Sequence, residues 1–128
     1  MADKDVIRTD RAPGPFQGAP YNQAIRVGDL VFVAGQLGVS LETGSLGAGI
    51  TEQTEQIMAN LGAILEAAGS GLDKLVKTTV FLMDLGDFPS MNEVYARHVG
   101  DRPPARSTVE IAGLPSGALV EIEAIAHA

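Results

Sequence analysis

The chain has 128 residues, the usual size of one domain, and 45% of them are hydrophobic. Its net charge of −7 argues against nucleic acid or an anionic membrane as the main partner, since both require a basic surface. The chain has no cysteine, which excludes disulfides, thiolate catalysis and cysteine-based zinc sites, and without a membrane-length apolar run or a signal-peptide core it is expected in the cytoplasm.

The N-terminal part of the chain predicts a flexible start and then a hairpin. Residues 1–12 are mostly polar and are expected to form a flexible extension of a single domain that spans 13–128. Two short strands follow around Gly28 and Asp29, a residue pair typical of tight hairpin turns. The nearly continuous apolar run Leu30–Ala34 predicts a strand covered on both faces.

The clearest helix is predicted after a glycine-rich loop. Thr51 is its expected N-cap, and Gly69 is expected to end it. Apolar residues recur between them at helical spacing, at Ile57, Leu61, Ile64, Leu65 and Ala68. The stripe predicts an amphipathic helix with one buried face.

The remaining sequence predicts a strand, a shorter helix and two final strands. Alternating β-branched residues in "KLVKTTVFLMDL" indicate the strand. The helix is expected from about Asp87 to Val99, with Asp87 as cap and Pro89 in the first turn. Its inward residues are predicted to be Met91, Val94, Tyr95 and His98.

The order of these elements, β-β-α-β-α-β-β, predicts an α+β fold in which two helices cover one face of a mixed sheet. Two helices leave the other face of such a sheet open. Strand residues such as Val31, Val33 and Val80 make the sheet too apolar to stand in water, so we expect an oligomer.

Two charged residues stand out in the apolar C-terminal strands. The guanidinium of Arg106 suits bidentate binding of a planar carboxylate. Burial of Glu121 in an apolar strand would raise its pKa and suit it to proton transfer near neutral pH. A structural ion pair of Arg106 with Glu110, Glu121 or Glu123 is the alternative.

The two histidines, His98 and His127, lack the companions of a catalytic triad or a metal site. Structural or surface roles are therefore expected for both, and no metal site is predicted.

The segment "PARSTVEIAGLPSGALVE", residues 104–121, resembles the signature of the Rid/YjgF proteins, the reactive intermediate deaminases. The opening "APYNQAIRVGDLVFVAGQLG" is similar to that family as well. The resemblance implies a chorismate-mutase-like α+β domain that forms a homotrimer with sites between subunits. It also implies hydrolysis of 2-imino and 2-enamino acids, such as 2-iminopropanoate and 2-aminoacrylate, to 2-oxo acids and ammonia without a cofactor.

The resemblance also assigns roles to residues. The family's carboxylate-binding arginine falls on Arg106 and its water-positioning glutamate on Glu121. Its aromatic contact falls on Tyr21, with Phe16 as the alternative. The other implied substrate-binding residues are Gly35, Asn92 and Thr108, the last at a position where the family has Cys, Ser or Thr.

Other functions stay open beside this one. A non-catalytic trimeric protein that binds small carboxylates would use the same arginine, as would a deaminase specialised for a different amine. A holdase function, or the RNA cleavage reported for some members of the family, is a further alternative. The acidic composition argues against RNA, because phosphate binding needs a basic cleft.

Overall fold

The structure, a computed structural model, describes residues 3–128, which form six strands in one sheet and two α-helices. The strands are β1 (Lys4–Ile7), β2 (Ala24–Val27), β3 (Leu30–Leu37), β4 (Leu75–Leu82), β5 (Ala105–Glu110) and β6 (Val120–His127), and the helices are α1 (Ile50–Ala67) and α2 (Phe88–Val99). Across the sheet the order is β1-β2-β3-β6-β4-β5, and every neighbouring pair is antiparallel apart from β4 and β5. The predicted α+β fold is confirmed.

The connections follow from the local sequence. Gly28 adopts a positive φ of 58° in the two-residue turn that joins β2 to β3, so the predicted hairpin is confirmed. The parallel pair β4 and β5 needs a crossover, and α2 supplies it. As a result, β5 forms one edge of the sheet, and α2 packs beside it.

The start of the chain differs from the expected flexible extension. Lys4–Ile7 pairs with β2 as an antiparallel edge strand, while residues 1–2 lie outside the described residues. The segment after β1 is held by Gln23, whose Nε2 donates to the carbonyl oxygens of Thr9 and Ala12 at 3.0 and 3.1 Å. The sequence did not predict this strand, because four residues with a single pair of apolar side chains are too few to show the alternation of apolar and polar residues that indicates a strand.

Helix α1 supplies the centre of the core. Its predicted stripe is confirmed, with five buried side chains: Ile57, Leu61, Ile64, Leu65 and Ala68. The predicted N-cap is wrong, because the helix begins at Ile50 with Gly49 as its N-cap, and Thr51 lies one residue inside it. The end is confirmed, since Gly69 follows the helix with a φ of 78°.

Helix α2 begins one residue after its expected cap. Asp87 is the N-cap residue, although its side chain caps no backbone N–H, and Pro89 lies in the first turn as predicted. The buried residues are Met91, Val94, Tyr95 and Val99. His98 is only partly buried, because its Nε2 reaches out to Glu55 Oε2 of α1 at 3.1 Å.

The two faces of the sheet are covered differently. Val31, Val33 and Val80 are buried on the face that the helices cover, so these three residues do not form the surface that the expected oligomer would bury, and the oligomer stays a prediction. The open face carries the alternate residues, and Leu30 and Phe32 are 43% and 42% exposed there. The open face carries apolar side chains beside charged ones on β4 and β6, and within one chain β3 is covered on one face only.

No helix within residues 3–128 is long and apolar enough to span a membrane.

Candidate functional site

Arg106 lies on the edge strand β5, on the face that α2 covers. Its register partner on β4 is Thr78, a buried residue. The guanidinium carbon lies 4.8 Å from the centre of the Tyr95 ring and 5.4 Å from the centre of the Phe88 ring. The side chain is therefore partly buried between the sheet edge and α2.

The ion-pair alternative for Arg106 is not realised in the chain. Within the described range 3–128, no ion pair joins the Arg106 side chain to an acidic residue. Glu110 instead accepts a hydrogen bond from the backbone N–H of Leu85 at 2.9 Å. A partly buried guanidinium without an anionic partner is a group prepared to bind one.

Two further polar groups lie on the same side of the sheet as Arg106. Thr108 follows Arg106 by two residues on β5, and Asn92 lies one helical turn after Phe88 on α2. Thr108 Oγ1 and Asn92 Oδ1 are buried, and neither has a hydrogen-bond partner in the described residues. Buried polar atoms normally have partners, so each of these oxygens lacks a hydrogen bond that a ligand or a water molecule would supply.

Glu121, Tyr21 and Gly35 form a second group, which lines a cavity of about 810 Å³. Both aromatic candidates border this cavity, because Phe16 lies in its wall together with Tyr21. The backbone N–H of Phe16 donates to Tyr21 Oη at 2.6 Å. Since that oxygen already accepts a bond, the hydroxyl hydrogen of Tyr21 is free to donate to a ligand.

The carboxyl group of Glu121 packs directly against the backbone of Gly35. A Cβ atom on Gly35 would lie 2.8 Å from Glu121 Cδ, so the carboxyl occupies the space that a larger residue would need. Burial raises the pKa of Glu121 above its usual value, and the neighbouring charge of Glu123 raises it further. A carboxyl with a raised pKa can both accept and return a proton near neutral pH.

The two groups face opposite sides of the sheet. Ile122 is buried beneath the helices, so its neighbour Glu121 points to the open face, as does its register partner Phe81. Arg106 points to the helix-covered face. One chain therefore brings Tyr21, Gly35 and Glu121 together, and separately Arg106, Asn92 and Thr108.

Sequence reasoning missed four residues of these two groups. The sequence predicts Tyr95 as a core residue only and predicts no role for Phe88, although the spacing of Phe88, Asn92 and Tyr95 places all three on one face of a helix. Gln17 and Ser116 line the cavity with positive φ angles of 52° and 58°. Neither is a glycine, so composition gave no sign of their backbone conformations.

The histidines lie apart from both groups, since His98 bridges the two helices and His127 is exposed near the end of β6. Among residues 3–128, no cluster of three or more His, Asp or Glu side chains is arranged to hold a metal ion.

Known proteins match this chain over nearly its whole length. The family model described as Endoribonuclease L-PSP matches residues 11–128. A RutC family protein of Pyrococcus abyssi is 50% identical, with 97% of each chain covered. The human 2-iminobutanoate/2-iminopropanoate deaminase is 41% identical, covering 94% of this chain and 88% of its own. The crystal structure of E. coli TdcF with bound serine has a TM-score of 0.90 at 40% identity, covering 97% of this chain and 98% of its own. By sequence and by fold, this chain belongs to the Rid/YjgF family.

Proposed function

We propose that this chain hydrolyses reactive 2-imino and 2-enamino acids, of the 2-iminopropanoate type, to 2-oxo acids and ammonia. The observation that carries the proposal is the partly buried guanidinium of Arg106, which has no anionic partner within residues 3–128. The deaminase name of the human relative and the serine bound to E. coli TdcF support a small substrate that carries a carboxylate. A cytoplasmic location is part of the proposal and rests on composition.

The proposed site lies between subunits of a homotrimer. Arg106 and Glu121 project from opposite faces of one sheet, so a site that contains both requires two copies of the chain. The exposed apolar residues of the open face, such as Leu30 and Phe32, favour its burial against a second copy. The trimer itself follows from the family resemblance.

In the proposed mechanism, Arg106 binds the substrate carboxylate through two parallel hydrogen bonds, and the Tyr21 hydroxyl donates a third. The side-chain oxygens of Asn92 and Thr108, which have no hydrogen-bond partner within the described residues, then form hydrogen bonds with polar groups of the substrate. These contacts hold the imine carbon at a fixed distance from the carboxyl group of Glu121.

Glu121 accepts a proton from water as the water oxygen bonds to the imine carbon. The product of this step is a tetrahedral carbinolamine, and Glu121 returns the proton to its nitrogen. The carbon–nitrogen bond then breaks and ammonia leaves, while the hydroxyl group gives its proton to Glu121 and becomes the carbonyl of the 2-oxo acid. Glu121 passes this proton to the departing ammonia and is ready for the next turnover. A protonated imine is already electrophilic, so positioning and one general base suffice without a metal or a cofactor.

The test is to generate 2-iminopropanoate in situ with an amino-acid oxidase and follow its disappearance. Wild type should accelerate the reaction, and Arg106→Ala should remove the acceleration while keeping the folded circular-dichroism spectrum. If wild type accelerates the loss of neither this imine nor bulkier ones, the proposal fails.

A non-catalytic carboxylate-binding protein is the second candidate, since the free guanidinium of Arg106 favours it equally. The Glu121→Gln variant separates the two functions. Retained binding of a 2-oxo acid together with lost turnover supports the enzyme. Full turnover in this variant contradicts the role of Glu121 as the base.

A further inference from the structure

Two aromatic rings of α2 lie beneath the guanidinium that the proposed function uses as its anchor. The guanidinium carbon of Arg106 is 4.8 Å from the ring centre of Tyr95 and 5.4 Å from that of Phe88. Both distances are inside the range of about 6 Å within which a cation is attracted to a ring face. We propose that Phe88 and Tyr95 are positioning residues, which hold Arg106 ready for a carboxylate. This inference rests on the proposed function.

The position of Arg106 explains why such support is needed. The residue lies on the edge strand β5, which pairs with β4 alone, and its side chain makes no ion-pair contacts within residues 3–128. A long side chain without these contacts would lose considerable rotamer freedom on binding a ligand. Contact with the two rings restricts it beforehand, and it uses none of the N–H donors that a carboxylate needs.

The Tyr95 ring is itself fixed to the strand beside Arg106. Its hydroxyl group shares a hydrogen bond of 2.6 Å with Thr78 Oγ1, and Thr78 is the register partner of Arg106 on β4. Burial raises the pKa of Tyr95, so the hydroxyl stays neutral at physiological pH. The ring therefore keeps one place relative to the sheet edge from which Arg106 projects.

The experiment compares ring-removing with ring-retaining variants in steady-state kinetics. Phe88→Leu and Tyr95→Leu should each raise KM between about twofold and thirtyfold, the range that one cation–ring contact gives, and should change kcat less than about twofold. Phe88→Tyr keeps the ring face and should leave KM close to wild type, while Tyr95→Phe keeps the ring face but loses the hydrogen bond to Thr78, so its KM should lie between those of wild type and Tyr95→Leu. If a leucine variant fails to fold, the corresponding methionine variant replaces it, since Met fills the volume of a ring more readily.

Val94→Ala is the matched control. Val94 is buried on the same helix, but it is not aromatic and makes no cation–π contact with Arg106. It should lower the melting temperature and leave KM unchanged. An unchanged KM in the ring-removing variants would overturn the inference, as would an equal rise in KM in Val94→Ala.

Calorimetric titration with 2-oxobutanoate, a product analogue, distinguishes this inference from the proposed function. If Arg106→Ala binds the 2-oxo acid as tightly as wild type does, the proposed function fails. If Arg106→Ala loses binding while Phe88→Leu and Tyr95→Leu keep it, the aromatic support alone is refuted.

Discussion

The carboxyl group of Glu121 lies where a side chain on Gly35 would have to be. A methyl group at Gly35 would come within 2.8 Å of Glu121 Cδ, a distance at which one of the two groups must move. Gly35 has no positive φ, so alanine would not strain its backbone. The main effect of such a substitution is therefore to displace the carboxyl group of Glu121.

Gly35→Ala should lower kcat by at least about tenfold, and at most by the hundredfold to ten-thousandfold loss expected when a general base is removed. The melting temperature should change little, because the Glu121 side chain has room to turn into the cavity. Gly113→Ala is the control, since a Cβ there has no neighbour within 4 Å. An unchanged kcat in Gly35→Ala would show that the present position of the carboxyl group is not needed.

The pH dependence of kcat/KM should report the pKa of Glu121. A general base acts when deprotonated, so activity falls as the pH drops through its pKa, which burial and the charge of Glu123 raise above the usual value. Removal of that charge in Glu123→Gln lowers the pKa, and the acidic limb of the profile should move to lower pH. A limb that stays in place would exclude Glu123 as the source of the shift.

Tyr21→Phe tests which aromatic residue of the cavity binds the substrate. The variant keeps the ring and removes the hydroxyl, whose bond to a charged carboxylate is worth about 1.5–3 kcal/mol, so KM should rise at least about tenfold. Phe16→Leu keeps the backbone N–H that donates to Tyr21 Oη, so its KM should rise much less. The opposite order of effects would assign the contact to Phe16.

The sequence predicted those parts of the fold that local chemistry determines. Gly28 and Asp29 form a tight turn wherever two strands flank them, and the stripe of α1 is buried because its spacing matches a helix. The Rid/YjgF motif likewise found Arg106 and Glu121 as residues. Each of these signals is contained within a short segment of chain.

What the sequence did not predict depends on pairing between distant segments. The direction of Glu121 is set by register with Phe81, and a shift by one residue would reverse it. The contact of Arg106 with Tyr95 depends on how α2 crosses from β4 to β5. For the same reason, the sequence does not show that Val31 and Val80 lie on the face that the helices cover.

Subunit complementation should test the shared site directly. Arg106→Ala and Glu121→Gln are each expected to be inactive, but a mixed assembly pairs an intact Arg106 from one copy with an intact Glu121 from another. Random mixing of equal amounts should restore about a quarter of the wild-type sites. The measurement is activity after co-refolding, with each variant refolded alone as the control, and no recovery would place both residues of a site in one chain.

The opposed directions of Arg106 and Glu121 also limit which symmetries the assembly can have. An isologous two-fold contact joins the same patch of both subunits, so it could pair Arg106 with Glu121 only if one patch contained both residues, and they project from opposite faces of the sheet. The proposed shared site therefore favours a head-to-tail contact, and such contacts either close into a ring or continue as a filament. In a ring, the Arg106 of every subunit meets the Glu121 of a neighbour. An open row instead leaves an unused Arg106 at one end and an unused Glu121 at the other. Ring closure would therefore be the step that makes every subunit catalytically complete.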